Sequence, residues 1–201
     1  MHKINSNVLS QTDRYSRSAV SSAINQENLG LISFFHNLDP SLLLDFGEEL
    51  SALAITKAEN LDLVALKKIH EINVNILSQT DKHGCSAVSY AISKGNLKLI
   101  SFFHNLDPSL LLNFDEELSA LAIRKAEDSD IDALIKLHKT NPSLLSETDK
   151  YGNSAVSKAI SKGNLALLTF FHNLDKKLFS KVDYFGDSEI DIKPDVLKLF
   201  F

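Results

Sequence analysis

Apolar residues along this chain come in short bursts at helical spacing, separated by polar breaks that return on a fixed step. In "SAVSYAISKG", Ala87, Val88, Ala91 and Ile92 form one apolar stripe on a helix. Gly95-Asn96 breaks that helix, since glycine readily takes the left-handed turn past a helix end. "NLKLISFFHNL" then sets Leu97, Ile100 and Phe103 beside Leu99, Phe102 and Leu106, a broad apolar face for a second helix. Asp107-Pro108 ends it, because the residue before a proline is pushed out of the α region. Further on, "SALAIRKAEDSDIDALIKLH" predicts two more amphipathic helices jointed at "EDSD", with Ser129 or Asp130 as the N-cap of the second.

The pattern repeats. Residues 10–77 match residues 78–145 at 45 of 68 positions without a gap, and 146–179 match 78–111 at 24 of 34. "FFHNLDPSLL" stands at 34–43 and again at 102–111, with "FFHNLDKKLF" at 170–179. Inside the longer block a shorter step shows: His2, His36, His70, His104, His138 and His172 lie 34 residues apart. The unit is therefore 34 residues in two alternating kinds, A (10–43, 78–111, 146–179) and B (44–77, 112–145). A period of this size indicates stacked helical pairs, each too small to bury its own apolar face. The expected fold is an all-α solenoid of stacked helix-turn-helix repeats with short hairpin loops, forming a single domain over 1–201.

The A units resemble ankyrin repeats. In "ILSQTDKHGCSAVSYAISKGNLKLISFF" (76–103), Asp81 and Gly84 stand where that family has its hairpin-tip Asp and Gly. Ser86-Ala87-Val88-Ser89-x-Ala91 falls on the motif T-P-L-H-x-A, and Gly95-Asn96-Leu97 on the glycine ending the first helix. Ser154-Ala155-Val156-Ser157 with Gly152 and Gly163 repeats the match, and Ser18-Ala19-Val20-Ser21 repeats it without either glycine. The tetratricopeptide unit has the same length, but its tryptophan is absent. Serine replaces the motif's Thr and His throughout, so the usual bonds between neighbouring units are expected to be shortened or lost. The B units lack both glycines and read as distorted units, one residue dropped at the tip and regained at "EDSD". The resemblance implies a protein-binding surface made of the hairpin tips and the inner face of the first helices.

Composition narrows the function. A net charge of −5 gives no basic stripe for nucleic acid. No apolar run reaches the ~18–20 residues of a membrane span, and the start, "MHKINSNVLSQ", has no signal-peptide core. The lone Cys85 cannot form an internal disulfide, which fits a reducing compartment. The expectation is a cytoplasmic monomer without membrane insertion.

Candidate chemistry is sparse. The histidine ladder does not suit a metal, because stacked helices lie ~8–10 Å apart whereas zinc–nitrogen bonds are ~2 Å. Each His falls near the end of a second helix and is read as a cap on its last carbonyls. Motifs for a nucleophile elbow, a phosphate loop or a zinc protease are missing. Glu48-Glu49 and Glu116-Glu117 suit a helix start, and Cys85 is read as inert. No catalytic residue, metal ligand or cofactor is expected. The informative positions are the tips. Those of the A units carry the candidate partner-binding residues Arg14, Tyr15, Arg17, Lys82, His83, Lys150, Tyr151 and Asn153. B tips are placed at Asp45-Phe46-Gly47 and Asn113-Phe114-Asp115, with both Phe expected in the core.

Residues 1–9 match only the tail of a B unit, and 180–201 depart from the repeat, with Pro194 suited to the first turn of a closing helix. The chain reads as a piece of a longer array. The expected function is a non-catalytic protein–protein interaction module. The alternatives are a targeting or regulatory segment of a larger enzyme, or a secreted bacterial effector acting in the host cell cytoplasm.

Overall fold

Helix follows helix along the whole described chain. The computed structural model describes residues 8, 9, 11–15 and 17–179. Its α-helices are α1 (Ala19–Asn25), α2 (Leu29–Leu38), α3 (Gly47–Glu59), α4 (Leu63–Ile72), α5 (Ala87–Ser93), α6 (Leu97–Leu106), α7 (Asp115–Glu127), α8 (Ile131–Thr140), α9 (Ala155–Ser161) and α10 (Leu165–Leu174). Short 3-10 turns occupy Pro40–Phe46, Pro108–Leu111 and Lys176–Phe179. No strand occurs among the described residues, so the fold is all-α. Pro194 lies outside them.

Local chemistry starts and stops each pair. Ser18, Ser86 and Ser154 cap α1, α5 and α9, each side chain accepting from the amide three residues on. The side chain of Ser21, Ser89 or Ser157 accepts in return from the cap's own amide. Two amides that a helix start leaves unpaired are thereby satisfied. The serines singled out in the motif thus bond to each other within one unit. Neighbouring units are joined by other bonds: the Val88 amide donates to the Leu77 carbonyl at 3.1 Å, Val156 to Leu145 at 3.2 Å, and the Asn164 side chain to Ser129 Oγ at 2.9 Å.

The turn between the two helices of a pair is the same in all five units. Glu27, Leu61, Gly95, Ser129 and Gly163, one step of 34 apart, all have positive φ, between 54° and 61°. Behind each comes an Asn or Asp whose side chain caps the second helix; Asp130 does so for α8. The "EDSD" joint therefore holds no extra residue, which corrects the register expected for the B units.

What differs in B is the first helix. It runs 13 residues in α3 and α7 against 7 in α1, α5 and α9, and its added turns fill the positions of the A tips. The expected B tips are therefore shorter than the A loops, with Asn113 and Phe114 in the turn just ahead of α7. Asp45 and Phe46 end a 3-10 turn, Gly47 and Asp115 are first helical residues, and Phe46 and Phe114 are half-buried caps rather than core. Glu48-Glu49 and Glu116-Glu117 lie in the first turn, where a carboxylate favours the helix dipole.

The described helices divide into two compact units, Met1–Lys94 with Phe102–Leu111, and Gly95–Ser101 with Leu112–Phe201. In the first, α1 packs on α2, α3 touches α1, α4 and α5, and α2 lies against α4. In the second, α7 packs on α8 and α9, and α9 on α10. Both cores are aliphatic, with Phe35, Phe103 and Phe171 buried and the preceding Phe set against each at 5.5–5.9 Å. Neighbouring residues on a helix point about 100° apart, so one ring of each Phe-Phe pair goes inward and the other stays at the edge.

Candidate binding surface

Three A-unit loops are built alike, each closed on itself by an aspartate. Asp13 Oδ1 accepts from the amides of Tyr15 at 2.8 Å and Arg17 at 3.0 Å. Asp81 Oδ1 accepts from His83 at 2.8 Å and Cys85 at 3.0 Å, and Asp149 Oδ1 from Tyr151 at 2.8 Å and Asn153 at 2.9 Å. The aspartate amides donate back to the carbonyls of Arg17, Cys85 and Asn153. Gly84 and Gly152 take the left-handed conformation these loops need, with φ of 76° and 77°.

Ionisation of these carboxylates belongs to the loop. The side chain and amide of Arg17 hold the Asp13 carboxyl below the usual carboxylate range. At Asp81 the Cys85 amide is the main cause. At Asp149 desolvation pulls upward, and the hydrogen bonds from Asn153 and Tyr151 together outweigh it.

The closed loops sort the candidate residues. Arg14 and Arg17 lie over the Tyr15 ring at 4.7 and 5.0 Å, so these three form one cluster. Lys150 lies over Tyr151 at 5.2 Å. Tyr15 is 60% and Tyr151 75% exposed, and Lys82 and His83 are exposed as well. Arg17 and Asn153 turn back, Arg17 forming an ion pair with Asp13 at 2.8 Å and Asn153 reaching both Asp149 oxygens at 3.4 Å. Those two shape the loop; the others display. The Asp13 and Asp81 loops belong to the first compact unit and the Asp149 loop to the second.

Of the histidine ladder, His70 Nδ1 donates to the carbonyl of Val74 at 3.1 Å, a residue beyond the end of α4 rather than one of its last carbonyls. His138 Nδ1 is buried without a hydrogen-bond partner, and the His172 ring lies 6.2 Å from that of Phe179. Among the described residues no three His, Cys, Asp or Glu side chains gather as a metal-holding group. No described helix is long and apolar enough to cross a membrane. Sequence reading missed one surface, the exposed Leu31, Phe34 and Leu38 on α2. The same letters recur in α6 and α10, so nothing in them marks α2 as different.

No family model, curated protein or solved structure matches the chain.

Proposed function

We propose that the chain is an ankyrin-like array that binds another protein through the loops closed by Asp13, Asp81 and Asp149, and catalyses no reaction. One observation carries this reading: two loops hold a tyrosine in water with a cation over its ring, on a backbone fixed by an aspartate. Tyrosine and arginine dominate the energetics of protein interfaces. A loop already held in shape loses less entropy on binding than a free one. The resemblance of the A units to ankyrin repeats, whose tips serve this purpose, supports the same reading.

The test begins with affinity capture on the intact chain and identification of what is retained. The retained protein is then titrated against a variant carrying Tyr15→Ala, His83→Ala and Tyr151→Ala. Affinity should fall about tenfold or more with melting nearly unchanged, because all three side chains are exposed. A variant that melts lower yet binds as well as the original chain refutes the proposal.

A further inference from the structure

One position on the first helix of each pair changes character between the two compact units. Ser22, Thr56 and Tyr90 hold it in the first unit, Arg124 and Lys158 in the second, each 34 residues beyond the last. Arg124 is exposed and Lys158 partly so. Two residues earlier, Val20, Ala54, Val88, Ala122 and Val156 are all 0% exposed and stay small and apolar. Close packing dictates the buried letter, while the outward one is free to differ. The second unit uses that freedom for positive charge.

The two cations stand on helices that touch, α7 with Arg124 packing on α9 with Lys158. Glu127 Oε1 lies 3.7 Å from Lys158 Nζ and answers part of one charge. Lys125 is spent on Asp130 at 3.0 Å. Arg124 has no ion-pair partner among the described residues, so its planar fork of donors is open to a carboxylate. The same unit adds two exposed lysines, Lys162 just past the end of α9 and Lys150 beside Tyr151 in the loop before it. Carboxylates bound this patch at both ends of α7: Glu116 and Glu117 in its first turn, Glu127 and Asp128 at its last.

We infer that this face of α7 and α9 receives a short acidic segment of the partner protein. The inference rests on the reading of the chain as a protein-binding array and adds where, and with what charge, the partner is met. Packed helices lie ~8–10 Å apart. An extended segment advances roughly 3.3 Å per residue, so carboxylates two or three residues apart stand about 7–10 Å from each other. The long arginine and lysine stems close what difference remains. Two like charges on adjacent helices repel, and an anion between them relieves that cost. A continuous polyanion such as nucleic acid would run into the carboxylates at either end of α7, and the net charge of −5 opposes it as well. A short segment fits between them.

The probe is a labelled octaglutamate peptide, titrated into the full chain at low salt and followed by fluorescence anisotropy. Saturable binding is expected, weakened about tenfold or more by Arg124→Glu and weakened again as added salt screens exposed charges. Arg124→Glu sets a carboxylate one helix from Lys158 in place of a second cation, so the fold should hold, which circular dichroism checks. Lys67→Glu, at an exposed position on α4 in the first unit, makes the same change in net charge and should leave binding as it was. Equal weakening by Lys67→Glu would reduce the effect to overall charge and overturn the inference. So would an absence of binding at hundreds of micromolar peptide, or a single-stranded oligonucleotide of the same length binding as tightly. The protein captured on the intact chain separates the two readings. If it loses affinity for the Tyr15, His83 and Tyr151 triple variant but not for Arg124→Glu, the loops keep their role and the acidic-segment inference falls.

Discussion

The Cys85 amide donates to Asp81 Oδ1 at 3.0 Å while the Cys85 carbonyl accepts from the Asp81 amide at 2.7 Å, so these two residues lock one loop from both ends. Asp13–Arg17 and Asp149–Asn153 repeat the arrangement. In each loop the charged carboxylate is the better acceptor, and the folded state favours its ionised form. The folded pKa lies below the ordinary 3.8 in all three. Stability from such groups is present above 3.8 and is lost as pH falls through the lower folded values. Thermal melts should be flat down to about pH 5 and drop below about pH 4. Asp149→Asn should lower stability at neutral pH and shrink that acid-side drop; an unchanged drop would show that the loops do not cause it.

Leu61 stands in the left-handed turn between α3 and α4 with φ of 55° and is 41% exposed. Glycine holds the equivalent place in two A units, at Gly95 and Gly163. Left-handed backbone costs an ordinary L-residue roughly 1–2 kcal/mol. Leu61→Gly should therefore stabilise the chain by about 1 kcal/mol, and Gly163→Ala, with nothing within 4 Å of its added methyl, should destabilise it by about 1 kcal/mol. Urea unfolding of both variants measures the two signs.

Ser51 and Ser119 occupy one repeat position in α3 and α7, and each buries its hydroxyl without a hydrogen-bond partner. Such a group costs about 1–3 kcal/mol of desolvation, and alanine is the better helix former. Ser51→Ala and Ser119→Ala should each raise the midpoint of chemical unfolding. A fall in either would mean that the hydroxyl is satisfied in solution.

The buried caps should act the other way. Ser86 and Ser154 each accept from the amide of the Ser three residues on and donate their own amides to its hydroxyl. Replacing either by alanine should cost about 1–2 kcal/mol. Hydrogen exchange should show the loss first in α5 for Ser86→Ala and in α9 for Ser154→Ala.

Phe103, fully buried, should be the costliest single truncation, with Phe103→Ala losing about 3–5 kcal/mol in denaturant unfolding. Its neighbour Phe102 is only half-buried, so Phe102→Ala should cost clearly less. Equal effects would contradict the inward and outward sorting of the two rings.

Much of this was legible in the letters. The 34-residue step, the two-helix unit, the break at Gly95, the stop at Asp107-Pro108 and the Asp130 cap all follow from short-range chemistry, which a linear sequence states directly. The register of the B units was not legible, because Leu61 and Ser129 are not residue types that advertise the left-handed turn they take. Nor was the extra length of α3 and α7, where "GEEL" and "DEEL" read equally well as a tip or a helix start. Asp81, which holds its loop, was visible as a motif position, but the inward turn of the candidate residues Arg17 and Asn153 was not. Leu31, Leu99 and Leu167 put the division most plainly. The sequence by itself made all three apolar residues of a second helix; only the tertiary structure decided which is buried, because burial belongs to whatever helix lies alongside, and identical letters carry no record of their neighbours.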